Sequence, residues 1–252
     1  MSKLLVRTIS GIILASIAIS AVLFLDKNIF KFFIAVLSAV AVWETANLLT
    51  KKFEKINPIS TAIIGFLASL SILFFNFYLA VLTIFLYGFY EAVKKWDINY
   101  LTSIVFSLIY GSFFVSSLGL LVDEDKYLLL ILFATVWAGD TFAYFVGKTF
   151  GKNKLAPRLS PKKTLEGAFG SILGSLIAGG ITAYYFNHLE AIVPTAIASI
   201  VMQIGDLFES FLKRQVGVKD SSNLIPGHGG ILDRIDALMF ASIVFLTFYN
   251  FL

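Results

Sequence analysis

Cysteine is absent from this chain of 252 residues, which excludes disulfides, thiolate nucleophiles and cysteine-ligated metal centres. Histidine is almost absent: His188 and His228 lie far apart and form no H-E-x-x-H arrangement, so that zinc motif is excluded as well. Charge is scarce. Asp, Glu, Lys and Arg make up 14% of the residues, against about 25% in a soluble globular domain. What fills the space is apolar: 58% of the chain is hydrophobic and its mean hydropathy is +0.86. These proportions exclude a soluble domain with a large core and describe an all-α, polytopic membrane protein. The net charge of +4 is modest, and no nucleic-acid partner is expected.

Apolar runs of about 20 residues, the length that crosses a bilayer, occupy 4–25, 29–50, 58–75, 77–93, 101–121, 127–147, 165–186, 189–212 and 230–252. Only Asn76 separates the third run from the fourth. If all of them cross, one side of the membrane receives Lys27, Lys31 and Lys126, and the other 17 of the 20 basic residues fall opposite. By the positive-inside rule the basic side is cytoplasmic. The expected topology is therefore about nine spans with a cytoplasmic N-terminus, in the cell (plasma) membrane. Merging the third and fourth runs would scramble the asymmetry. Lys3, Arg7 and the small residues of 15–21 also give the first run signal-peptide features, although its length and the later spans favour a retained helix.

Polarity divides the chain into two regions. Residues 1–122 read as structural, lipid-facing helices, with Glu44 and Glu91 placed near cytoplasmic helix ends and expected to snorkel. Residues 123–252 read as the catalytic region, with cytoplasmic loops 148–164 and 213–230. Gly167, Gly170, Gly174, Gly179 and Gly180 suit close helix packing and permit a homodimer.

Three polar constellations converge on the basic side. Asp140 and Tyr144 lie four apart on one helical face; Asp140 reads equally as a buried structural partner of a lysine or as part of a site. Loop 148–164 carries six basic residues and two prolines. It lacks the G-x-x-x-x-G-K-[ST] spacing of a P-loop, and its charge alone would suit anionic headgroups. Yet Thr164 can N-cap the next helix, while Ser160, Lys162 and Lys163 offer phosphate donors beside the positive helix end.

The third constellation is the richest. Asp206, Glu209, Ser210 and Lys213 fall at i, i+3, i+4 and i+7 on one helix, and Asp233 and Asp236 share a face of another. Between them run Lys219, Asp220 and the turn Pro226-Gly227-His228-Gly229-Gly230. Such glycines let backbone N–H groups approach a ligand closely. Aspartates without soft ligands suit a hard cation such as Mg²⁺. Structural alternatives are pairing of Asp233 with Lys219 and of Asp236 with Arg234. Ionisable groups crowded into an apolar chain nevertheless point to a site.

Ser210, Lys219-Asp220, Leu224-Ile225-Pro226-Gly227-His228-Gly229-Gly230, Asp233-Arg234 and Asp236 together resemble the signature of the phosphatidate cytidylyltransferase (CDP-diacylglycerol synthase) family. The second aspartate follows Arg234 after a single residue, a departure in terminal spacing. Ser160-Pro-Lys-Lys-Thr-Leu-Glu-Gly167 and Gly139-Asp-Thr-Phe-Ala-Tyr144 resemble the same family. The resemblance is strong over the C-terminal half and rests on hydropathy and length before it. It implies that CTP and phosphatidic acid give CDP-diacylglycerol and pyrophosphate at the cytoplasmic face, with Mg²⁺ and a second, monovalent cation such as K⁺. On that reading Asp206, Asp233 and Asp236 hold the metal, and Lys219, Arg234 and Lys213 hold phosphates. Ser160, Lys162 and Lys163 close over the substrates from a flexible loop. Asp140, Tyr144, Ser210, Asp220 and His228 complete the substrate set.

The chemistry of the residues agrees with this. A lipid phosphate is already anionic, so its attack on the α-phosphorus of CTP needs charge neutralisation more than a strong base. A CTP-dependent polyprenol or phytol kinase is the nearest alternative. An ion-coupled transporter is less consistent, because the polar groups gather at one face and not at the midplane. The D-G-x2-A-R pattern of CDP-alcohol phosphotransferases and the D-D-x-x-D motif of UbiA-type prenyltransferases are absent.

Overall fold

The computed structural model describes residues 3–52 and 56–249, with side chains from Thr8 onward. Among the described residues each of the nine apolar runs is helical. The elements are α1 (Lys3–Phe24), α2 (Lys27–Leu49), α3 (Pro58–Phe74), α4 (Phe77–Lys95), α5 (Ile98–Leu108), a π turn (Ile109–Phe113), α6 (Phe114–Glu124) and α7 (Lys126–Phe150). A hairpin of β1 (Lys154–Ala156) and β2 (Ser160–Thr164) follows, then α8 (Leu165–Tyr185), a 3₁₀ turn (Leu189–Ala191), α9 (Ile192–Gln215) and α10 (Leu232–Tyr249). Among the described residues six helical segments, counting α5 to α6 and the 3₁₀ turn to α9 as one each, are long and apolar enough to cross a membrane; Thr8–Phe24 and Pro58–Phe74 are shorter apolar helices. This is an all-α protein of the multi-pass membrane type.

Short polar side chains set where the helices begin. Asp26, Asn57, Asn76, Asp97, Asp125 and Thr164 each accept a backbone N–H from the first turn of the helix that follows. Such a cap satisfies donors that a helix start leaves unpaired. The lone Asn76 between two apolar runs is therefore a real boundary, accepting from the N–H groups of Tyr78 at 2.7 Å and Leu79 at 3.4 Å.

The chain divides into two compact units, 1–120 with 215–234, and 121–214 with 235–252. In the first unit α2 packs on α3, α3 on α4, α4 on α5 and α2 on the π turn. Val42, Ala46, Ala68, Ala80, Ile84, Ile104 and Leu108 form its buried centre. Val42 fits against two glycines: a Cβ at Gly65 would stand 2.6 Å from its Cγ2, and one at Gly111 would stand 2.6 Å from its backbone nitrogen. Where lipid replaces water, such close fit and interhelical hydrogen bonds carry the packing. One of these bonds joins Ser69 Oγ to Ser116 Oγ at 2.6 Å.

In the second unit α7 and α8 form the broadest helix pair. Gly170 packs on Val146, Gly174 on Phe142 and Gly179 on Thr135 and Thr195, so this glycine face is used inside the chain. Ser175 Oγ donates to the Thr135 carbonyl at 2.8 Å. Residues 154–164 correct the expectation of a flexible loop. They form an antiparallel hairpin with Lys154 opposite Thr164 and Ala156 opposite Ser160. Its base is tied down: Leu165 N–H donates to the Asn153 carbonyl at 2.9 Å, and Glu166 accepts the Asn153 amide Nδ2–H at 2.9 Å.

Candidate functional site

Within the second unit a cavity of about 470 Å³ opens between α7, the hairpin, α8 and α9, lined by Asp140, Tyr144, Lys148, Lys162, Lys163, Thr164, Ser171, Gln203 and Asp206, among others. The hairpin sets its cationic wall. β2 carries Lys162 and Lys163, and Thr164 ends it by capping α8, accepting from the Gly167 N–H at 3.1 Å. The positive end of α8 and three lysines thus face one space, an arrangement that favours an anionic ligand. Lys148 Nζ lies 5.6 Å from the centre of the Tyr144 ring.

Acidic groups balance these cations. Lys163 Nζ stands 2.5 Å from Asp206 Oδ2. One to two turns along α9, Lys213 Nζ lies 3.3 Å from Glu209 Oε2, in a pair whose carboxylate is fully buried. Ser210 Oγ reaches Asp206 Oδ1 at 3.5 Å. The Asp236 carboxyl faces Asp206, Glu209 and Lys213, and its Oδ1 accepts the Ala237 N–H at 2.9 Å. Asp140 is exposed on the cavity, so of its two readings the buried structural one does not apply. Gln203, Lys148 and Ser171 also line the space; Lys148 was counted only as part of the basic loop, and Gln203, three residues before Asp206 on α9, extends the polar stripe of that helix and could have been found by the same spacing.

The first unit holds the other part of the signature. Ile225 to Gly229 close on themselves, with Ile225 N–H donating to the Gly229 carbonyl at 2.8 Å and His228 N–H to the Ile225 carbonyl at 2.9 Å. Gly227 and Gly229 have φ of 77° and 83°, in the left-handed region that favours glycine. Arg234 clasps the turn, its guanidinium donating to the His228 carbonyl at 3.2 and 2.9 Å. Ser10 Oγ on α1 lies 2.7 Å from His228 Nδ1. Lys219 and Asp220 are exposed.

Asp233 is not held by Lys219. Its Oδ2 accepts from Ser221 N–H at 2.8 Å, Ser221 Oγ–H at 2.9 Å and Gly230 N–H at 2.8 Å. The glycine-rich turn therefore brings its N–H to the chain's own carboxylate. Glu44 corrects a further expectation. Instead of snorkelling it is fully buried on α2, and it accepts from Ser221, Ser222, Ile231 and Leu232. An acidic residue within an apolar run is a functional candidate by default; that signal was present at Glu44.

Among the described residues no group of three or more His, Asp and Glu side chains is set to hold a metal ion. Asp206 meets an ammonium, and Asp233 accepts from Ser221 and Gly230. Asp206 and Asp236, whose charges act on each other, offer hard oxygen ligands of the kind Mg²⁺ uses when phosphates complete its shell.

A sequence model of the cytidylyltransferase family matches residues 5–252. The chain belongs to the cytidylyltransferase family. Members similar to it include phosphatidate cytidylyltransferases of Aquifex aeolicus, 40% identical over 64% of this chain, and of Haemophilus influenzae, 45% identical over 50%. A third, from Thermotoga maritima, is 36% identical over 66% of this chain. The chain spans 61%, 46% and 74% of the length of these family members, respectively.

Proposed function

We propose that this chain transfers a cytidylyl group from CTP to phosphatidic acid, giving CDP-diacylglycerol and pyrophosphate for phospholipid synthesis. The observation that carries the reading is the cavity in which Lys148, Lys162, Lys163 and the start of α8 converge beside Asp206, in a chain made mostly of apolar helices. The names of its relatives supply the substrates. A phosphate oxygen of the lipid forms a bond to the α-phosphorus of CTP, and the bond from that phosphorus to the β-bridging oxygen breaks. The departing electron pair leaves with pyrophosphate.

Such a transfer depends on positioning and on neutralising charge. We assign Lys148, Lys162 and Lys163 to the phosphate oxygens in the cavity, with Ser160 at the hairpin and Ser210 beside Asp206 as supporting donors. Asp140 and Tyr144 line the same cavity from α7. Lys213 keeps the Glu209 carboxylate compensated next to Asp236. Lys219, Asp220, His228 and Arg234 remain assigned to substrate handling in the first unit, and Asp233 keeps its assignment as a metal-binding carboxylate. Magnesium enters this reading as the ion accompanying the triphosphate, with Asp206 and Asp236 as the carboxylates that fit it; it supplies charge neutralisation. The nine-span topology, the cytoplasmic face and the plasma membrane belong to the same proposal, supported by the distribution of basic residues. A homodimer is compatible with the reading: Gly170, Gly174 and Gly179 pack within the chain, while a Cβ at Gly180 would meet open space.

Purified protein given phosphatidic acid, Mg²⁺ and CTP tests the reading. Pyrophosphate and CDP-diacylglycerol should appear in equal amounts. CTP left unconsumed by protein that is folded and supplied with lipid would overturn it.

A further inference from the structure

Glu44 is a buried carboxylate that the proposed transfer does not use. Its Oε1 accepts from Ser222 Oγ–H at 2.5 Å and Ile231 N–H at 3.0 Å. Its Oε2 accepts from Leu232 N–H at 2.7 Å and lies 3.2 Å from Ser221 Oγ, whose single proton it shares with Asp233. All four groups come from residues 221–232, remote in sequence from α2. None of these partners is a cation.

The geometry explains what each donor gains. Leu232 is the first residue of α10 and Ile231 the residue before it, where backbone N–H groups have no partner inside the helix. The segment brings no capping side chain of its own to them, and Glu44 reaches across from α2 to do that work. A negative charge at that end also suits the helix dipole. Gly230 must be glycine, since a Cβ there would run into the Glu44 carboxyl. The same anchored segment holds Asp233, through Ser221 and Gly230, and Arg234, through the His228 carbonyl.

We propose that Glu44 is a positioning residue: it anchors residues 221–232 so that Asp233 and Arg234 are presented in fixed orientation, without itself touching substrate. The anchoring stands on the hydrogen bonds alone; its consequence for turnover rests on the cytidylyl-transfer reading.

Glu44→Gln tests it, because an amide keeps the shape but replaces one acceptor with a donor facing donors. Hydrogen exchange of peptides covering 221–232 should accelerate by roughly tenfold or more, while peptides from α3 to α5 keep wild-type protection. In the transfer assay kcat should fall by about tenfold or more, with KM for CTP changed less than about threefold. Ser222→Ala, which removes one donor to Glu44 and the acceptor of the exposed Leu224 N–H, should show the same pattern at smaller amplitude. If Glu44→Gln does not fold, Ser221→Ala/Ser222→Ala carries the same two measurements. Unchanged exchange at 221–232 overturns the anchor. Accelerated exchange with wild-type kcat overturns the positioning role. A wild-type protein that transfers no cytidylyl group overturns the functional reading instead, and the exchange result still judges the anchor.

Discussion

Replacing Lys163 by methionine separates a substrate-binding lysine from a structural one. Its ammonium stands 2.5 Å from Asp206 Oδ2, with side chains 27% and 34% exposed, at the wall of the cavity. An ion pair with that much solvent contact contributes about 1 kcal/mol or less to stability, which corresponds to a thermal midpoint lowered by about 2–4 °C at most. A preorganised donor aimed at developing phosphate charge is worth more: removing one costs about 3–4 kcal/mol, or a factor of about 10²–10³ in rate. Lys163→Met should therefore lower kcat/KM for CTP by about 10²–10³ while barely moving the midpoint. The assay is pyrophosphate release from CTP and phosphatidic acid in detergent, with the melting curve taken on the same sample. Lys163→Arg, which keeps the charge, should recover part of the loss. A fall of less than tenfold would refute the assignment, because the ammonium would then serve only Asp206.

Thr164→Ala removes the buried cap of α8 and should cost about 1 kcal/mol of stability, with faster exchange across residues 154–167, whereas Thr164→Ser should retain the wild-type midpoint. Asp236→Asn should abolish transfer and leave membrane insertion intact, read by activity alongside yield in the membrane fraction; retained activity would remove Asp236 from the metal-binding pair.

The helices were legible because bilayer-length apolar runs are set by composition, and Asn76 and Thr164 mark boundaries through local chemistry. The stripe from Asp206 to Lys213 was legible for the same reason: helical spacing alone places those groups on one face, and the ion pair at Glu209 and Lys213 follows it. The hairpin was not. Its strands are short, Pro157 follows the first and Pro161 lies within the second, and their pairing depends on the register that brings Lys154 opposite Thr164. The π turn at Ile109–Phe113 lies inside an unbroken apolar run, where no residue announces a change of helical pitch. Glu44 was read as an interfacial residue because its partners lie at least 177 residues away and burial has no local signature. The same holds for Asp233, whose partners Ser221 and Gly230 were read as loop.

Cytidylyl transfer is tested most directly by the fate of labelled CTP. With the label at the α-phosphorus, radioactivity should move into the lipid product, and with the label at the γ-phosphorus it should leave as pyrophosphate. Label from the γ-phosphorus appearing in the lipid would contradict the account and make the chain a CTP-dependent lipid kinase.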